Sequence, residues 1–197
     1  MRYLVTGALG AIGAWTVRAL VLGAGAIGML GTYLLRMDGL EVWTASRSTS
    51  TERTRLVEAC GARHVSTSER SLEELSRDVG GFDVVFEAAG DAQLMLDALG
   101  LLRRNGVACL LGIDGRPRRV SIDGRVLAVD AILQNRALFG SVNANRVDWD
   151  AGVRDLDAAR ERWPEALEAF VGLRVALDGF ADAFDYGGVK ATLLLEG

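Results

Sequence analysis

Residues 6–28 read TGALGAIGAWTVRALVLGAGAIG, and the fold turns on which of these glycines work. Two glycine-rich fingerprints nearly touch: TGALGAIG at residues 6–13 and GAGAIG at residues 23–28. Either spacing suits a sharp turn from a strand into a helix, with the backbone able to approach a pyrophosphate closely. The helix that follows offers unpaired N–H groups and the positive end of its dipole. Such a loop needs a strand before it, a helix after it and a return strand, all within a unit of roughly 30 residues.

The second fingerprint has all three. Residues 19–22 form an apolar run that ends in glycine. Residues 26–37 carry Ile27, Leu30, Leu34 and Leu35 at helical spacing, which predicts that these four form the buried face. Asp38-Gly39 ends the helix and residues 40–45 return as a strand. The first fingerprint has a strand at 3–5 and a helix at 11–20, but residues 19–22 are already needed by the next unit. Gly23, Gly25, Ala26, Ile27 and Gly28 are therefore assigned to a dinucleotide. The same glycines would also serve close helix–strand packing with no ligand at all.

Working outward, the alternation continues. A helix is predicted over 51–60, capped by Ser50 or Thr51 and stopped by Gly61. A short strand follows at 63–65, then a helix at 71–79 opened by a Ser71-x-x-Glu74 capping box. Strand 82–87, helix 92–102 and strand 107–111 continue the rhythm, followed by a helical stretch at 126–133 and a strand at 137–142. A charged amphipathic helix at 148–161 breaks at Trp163-Pro164, a second runs to about residue 171, and residues 189–195 read as a final strand. This pattern predicts the α/β class: a Rossmann-type doubly wound parallel sheet with helices on both faces.

The base-side determinant lies beyond the second strand. A site that prefers NAD places an acid there, on the ribose 2′-hydroxyl. Ser46, Arg47 and Ser48 stand in that zone without an acid, which favours the 2′-phosphate of NADP and leaves NAD as the weaker choice. Arg47 would otherwise be a solvated loop residue.

Composition bounds the rest. The chain has 197 residues, half of them hydrophobic, with a net charge of −4. There is no basic stripe, which argues against a nucleic-acid partner. Cys60 and Cys109 are far apart in sequence, so a reduced, cytoplasmic setting is expected. Residues 19–35 carry no charge but for Arg18 at their edge; the run is shorter than the roughly 20 residues of a membrane span and dense in ordered glycines. No membrane association is expected. One histidine and two distant cysteines offer no zinc-ligand spacing, so no metal site is assigned and His64 is read as structural.

Several long stretches carry a resemblance. They are ALVLGAGAIGMLGTYLLRMDGLEVWTASRSTSTERTRLVEACGARHV at 19–65, FDVVFEAAGDAQLMLDALGLLRRNGVACLLGI at 82–113, RALFGSVNANR at 136–146 and GVKATLLLEG at 188–197. From about residue 18 onward the chain resembles the cofactor-binding domain of the medium-chain dehydrogenase/reductase superfamily, in particular the archaeal-type glucose 1-dehydrogenases. The resemblance implies that the loop at 23–28 binds pyrophosphate. It implies that Ser46-Arg47-Ser48 takes the place of an Asn-Arg-Arg-like triplet on the 2′-phosphate, with one arginine fewer. Leu111, Gly112, Ile113, Val142 and Asn143 would lie along the nicotinamide; Asn143 would otherwise cap the helix that follows. Hydride would pass from a sugar C1 to the nicotinamide.

Such enzymes carry their zinc and most sugar contacts on a separate GroES-like domain, expected to be absent from this chain. Zinc is therefore expected only in that domain, and a sugar substrate only together with it, and the catalytic residues stay unassigned. The implied division is an extra segment at 1–17, a dinucleotide-binding domain at 18–146, and C-terminal helices and a strand at 147–197 that would pack on the other domain. The final strand must pair elsewhere or stay an apolar edge, which invites association between copies. The first 20 or so residues instead resemble the start of an extended short-chain dehydrogenase or epimerase. A short-chain enzyme would need a helical Tyr-x-x-x-Lys pair, and Tyr186-x-x-x-Lys190 matches the letters, although Gly187-Gly188 disfavours a helix. A non-catalytic nucleotide-binding or assembly module is the remaining alternative.

Overall fold

The computed structural model describes residues 16–195. The first fingerprint, at 6–13, lies outside the described residues.

Four strand–helix steps and a fifth strand build most of the sheet: β1 (Arg18–Leu22), α1 (Ala26–Met37), β2 (Glu41–Ser46), α2 (Thr51–Ala59), β3 (Arg63–Ser66), α3 (Leu72–Val79), β4 (Phe82–Glu87), α4 (Ala92–Leu101) and β5 (Leu102–Leu110). A π-helical turn at Val126–Asp130 runs into the short α5 (Ala131–Leu133), and β6 (Ala137–Gly140) closes the edge. The sheet has six parallel strands in the order β3-β2-β1-β4-β5-β6. Strand order therefore reverses between β1 and β4, and ligands of such sheets bind beyond the carboxyl ends of the strands at such a point.

Helices cover both faces, as the alternation predicts. β1 shows why: Ala19 and Val21 point to one core, Leu20 and Leu22 to the other. The first core takes Met29 and Tyr33 of α1 and Leu56 and Val57 of α2; the second takes Leu72 and Leu75 of α3 and Ala98 and Leu99 of α4. The capping box forms as read, with Ser71 accepting from the Glu74 N–H and Glu74 accepting from the Ser71 N–H. The uncharged run at 19–35 is divided between β1, the glycine loop and α1. Among the described residues no helix is long and apolar enough to cross a membrane.

The buried face of α1 matches the predicted one at Leu35 and at Leu30, which packs against the first core, and departs from it at Ile27 and Leu34. Met29, Thr32, Tyr33 and Leu35 are buried with Gly28 and Gly31, whereas Ile27 is 56% and Leu34 41% exposed. Closeness decides the face here. Gly31 admits the Phe86 ring, which would stand 2.7 Å from an added Cβ. Polar groups on that face are satisfied: Thr32 and Thr44 share a hydroxyl bond of 2.7 Å, and Tyr33 donates to the Leu56 carbonyl at 3.0 Å.

After β6 come α6 (Arg146–Arg162) and α7 (Pro164–Phe170). Ala166 and Phe170 join the first core, and Trp163 lies 5.6 Å from the Tyr33 ring. A strand absent from the sequence reading follows, β7 (Val171–Ala176), then α8 (Phe180–Asp185) and β8 (Lys190–Leu194). β8 pairs in parallel with β7 in a separate two-stranded sheet. The final strand is thus partnered within the chain.

Candidate functional site

The three glycines of the second fingerprint do three different things. Gly23 turns the chain at a φ of 105°, and its N–H donates to the Ala45 carbonyl at 2.8 Å. An added Cβ there would stand 3.0 Å from the Ala89 nitrogen. Gly25 is the N-cap of α1; no side chain caps it, the first turn carries no acid, and nothing lies within 4 Å of where a Cβ would be. Gly28 packs so tightly that a Cβ would overlap the Gly23 carbonyl. Turn, open approach and close packing are the three requirements of a phosphate loop at a helix N-terminus. Ala26 is half-buried beside it and Ile27 faces outward.

At the end of β2, Ser46 shares a 3.0 Å bond with His64 Nε2, and Thr54 meets His64 Nδ1 at 3.1 Å. Burial pushes the imidazole pKa down, against the smaller opposing pull of Glu58 and Glu69. His64 thus stands between two hydroxyls and holds the Ser46 side chain. Ser48 accepts from the Ser50 N–H at 3.1 Å and shapes the turn into α2. Arg47 is exposed and meets no partner among the described residues, so its charge is available to an anion.

The ends of β4 and β5 are joined through Glu87, which is fully buried. Its Oε1 accepts from the N–H groups of Ala89 and Gly90, each at 2.8 Å. Its carbonyl accepts from Leu111 at 2.8 Å and Gly112 at 3.2 Å. Gly112 is required here, because a Cβ would overlap Gly90 and stand 2.7 Å from Glu87 Oε2. Leu111 and Gly112 are half-buried; Ile113 is 78% exposed at the rim. Beside it, Asp114 pairs with Arg116 and Arg118 and accepts from the Ala92 N–H; the bonds from the Arg116 side chain first, and from the Ala92 and Arg116 N–H groups, hold its carboxyl well below the usual range. Sequence reasoning passed over Glu87. The signal was an acid ending an apolar strand, just before Ala88-Ala89-Gly90.

β6 ends at Gly140, and Val142 and Asn143 stand exposed beyond it. The cap of α6 is Asn145, through a reciprocal box with Asp148 in which both bonds measure 3.1 Å. The capping alternative for Asn143 is corrected by two residues, which leaves its amide without that task. The loops after β1, β2, β4, β5 and β6 all lie at the carboxyl edge of one sheet.

The Tyr186–Lys190 pair does not form a helical acid/base element. α8 ends at Asp185, Tyr186 caps it, and Lys190 already opens β8. Cys60 and Cys109 are buried free thiols whose pKa burial pushes up. Among the described residues no group of three or more His, Cys, Asp or Glu is arranged to hold a metal ion.

The family described as Glucose dehydrogenase C-terminus matches residues 8–195. The chain belongs to this family. The match begins ahead of residue 18, where the resemblance was expected to start, and so reaches into the first fingerprint. Glucose 1-dehydrogenase of Methanocella arvoryzae is 37% identical over 162 residues, covering 82% of this chain and 45% of that protein. Glucose 1-dehydrogenase 1 of Caldivirga maquilingensis is 37% identical over 174 residues, covering 87% and 48%. The chain thus spans about half the length of the curated relatives it matches. In fold it is similar to Haloferax mediterranei glucose dehydrogenase, solved in complex with NADP, zinc and gluconolactone, with a TM-score of 0.80 at 24% identity over 95% of this chain and 53% of that one. The doubly wound sheet is the one that the resemblance to medium-chain dehydrogenases implies.

Proposed function

We propose that this chain is the NADP-binding portion of a zinc-dependent sugar dehydrogenase of the glucose 1-dehydrogenase type. The observation that carries the reading is the glycine loop, where a turn at Gly23, an open approach at Gly25 and an uncapped, acid-free helix start coincide. The names of the relatives and the NADP complex of the Haloferax protein support it.

The cradle fits a dinucleotide. Gly23, Gly25, Ala26, Ile27 and Gly28 would hold the pyrophosphate. Arg47, flanked by Ser46 and Ser48, would meet the 2′-phosphate. Leu111, Gly112 and Ile113 would wall the nicotinamide side, with Val142 and Asn143 closing over it from β6. When bound, the nicotinamide supplies an acceptor for the hydride from sugar C1. This chain's own part is to bind, orient and exclude water. The donor set does not fit zinc, so zinc and the sugar are assigned to a catalytic domain outside this sequence. Residues 18–146 would form the binding domain, and 147–197 would pack on the other one; within the described part of that stretch α7 covers the first core and β7–β8 form the two-stranded unit.

The reading places the protein in the cytoplasm, in keeping with two buried free thiols. Copies associate through the β6 edge, where Leu138 and Phe139 are about two-fifths exposed, at 41% and 39%; a sedimentation series in concentration tests this. Function is tested by incubating the chain with NADP⁺, glucose and zinc ions and following NADPH. The expected result is no reduction by a chain that binds NADP⁺. Steady turnover would overturn the assignment of catalysis to another domain.

A further inference from the structure

Arg53 joins two distant parts of the chain. It stands half-buried in the first turn of α2. Its Nη1 donates to the Ala24 carbonyl in the glycine loop at 2.9 Å. Its Nη2 donates to the carbonyls of Gly187 at 3.1 Å and Gly188 at 3.3 Å. A guanidinium is a rigid fork whose two terminal nitrogens can hold carbonyls on different sides at once; a lysine ammonium gathers its donors on one atom at the end of a flexible stem and does not reproduce that spread.

The far end of this link is itself built. The Tyr186 ring folds back against Gly172 and Gly188, and a Cβ at either glycine would overlap its hydroxyl. This packing accounts for Tyr186 and Gly188 of the stretch that imitates a catalytic motif. The turn so fixed leads into β8, whose exposed Leu193 and Leu194 stand on the two-stranded unit. At the near end, the peptide between Ala24 and Gly25 is planar and trans, so its C=O and N–H point in opposite directions. Holding the Ala24 oxygen on Arg53 therefore aims the Gly25 N–H away from Arg53. Gly25 is the residue around which the loop is open.

We propose that Arg53 is a positioning residue that ties the Tyr186–Gly188 turn to the glycine loop, so that the loop's affinity for a dinucleotide depends on where the β7–β8 unit sits. The proposal rests on the dinucleotide reading above. It makes the binding loop responsive to whatever packs against β8, without Arg53 touching the ligand.

A double-mutant cycle read by calorimetric titration with NADP⁺ tests it. Arg53→Ala and Gly188→Ala are each expected to weaken binding on the order of tenfold, the scale of one or two lost hydrogen bonds. The double variant is expected to bind no more weakly than Arg53→Ala, because both changes break one link. Arg53→Lys, which keeps the charge, is expected to lose nearly as much. Gly188→Ala with parental affinity, losses that multiply in the double variant, or full rescue by lysine would each overturn the proposal. Hydrogen exchange on the ligand-free chain decides the link independently, also where Gly188→Ala does not fold. In Arg53→Ala, exchange is expected to rise both at the Gly23 amide and at Thr192 to Leu194; a rise at one end alone, or at neither, overturns it. A parent that fails to bind NADP⁺ would refute the dinucleotide reading, and the exchange result would still decide the link.

Discussion

Replacing Gly25 or Gly28 by alanine adds the same methyl group in two very different places. At 28 it overlaps the Gly23 carbonyl, and backbone has to move. Urea denaturation of Gly28→Ala is expected to show a loss of about 1–3 kcal/mol, the usual cost of overpacking. At 25 the methyl meets open space, so stability is expected to change by less than about 1 kcal/mol, while NADP⁺ affinity falls because the methyl stands in the phosphate's approach. A Gly25→Ala chain that binds NADP⁺ as the parent does would remove this loop from the site. Arg47, exposed and unpartnered, belongs to the same scale. Arg47→Ala is expected to weaken NADP⁺ binding with little effect on NAD⁺, and the difference is expected to shrink as salt screens the charge. His64 makes a pH prediction. Burial lowers its folded pKa, so below the ordinary value of about 6.5 the unfolded chain takes up its proton first and stability falls as pH drops. His64→Gln is expected to flatten urea midpoints across that window; an unchanged slope would exclude His64 as its source.

At the scale of elements, strands and helices bounded by glycines and caps were legible. The capping box of α3, the glycine stop after α2 and the run of β4 were read from side-chain chemistry that acts within a few residues. The buried face of α1 was so only in part, because apolar spacing favoured Ile27 and Leu34, whereas the neighbours Phe86 and Thr44 select the side with Gly31 and Thr32. β7 was missed although Val171, Leu173 and Val175 alternate inward. Its six residues follow directly on a helix, and only pairing with β8 makes them a strand. That pairing also settles Lys190. It lies exposed on β8 rather than on a helix with Tyr186, so Lys190→Ala is expected to leave NADP⁺ binding unchanged, and a large loss would revive a role for that side chain.

The whole molecule was readable as a doubly wound sheet because each strand–helix step is a local pattern and the right-handed crossover leaves few topologies. The site was readable only in part. The glycine loop announces itself in sequence, since turn, approach and packing act within six residues. The supports around it do not: Arg53 holds the Ala24 carbonyl of that loop, and Glu87 ties the ends of β4 and β5, through carbonyls and N–H groups that the fold brings together. Loops from five strands meet at one edge, and the proposed cradle there would draw its cation from Arg47 and its phosphate donors from the start of α1 at Gly25. Calorimetric titration of the purified chain with NADP⁺, repeated with NAD⁺, tests this most directly. The account predicts saturable one-to-one binding of both, tighter for NADP⁺. Binding of neither, or tighter binding of NAD⁺, would contradict it.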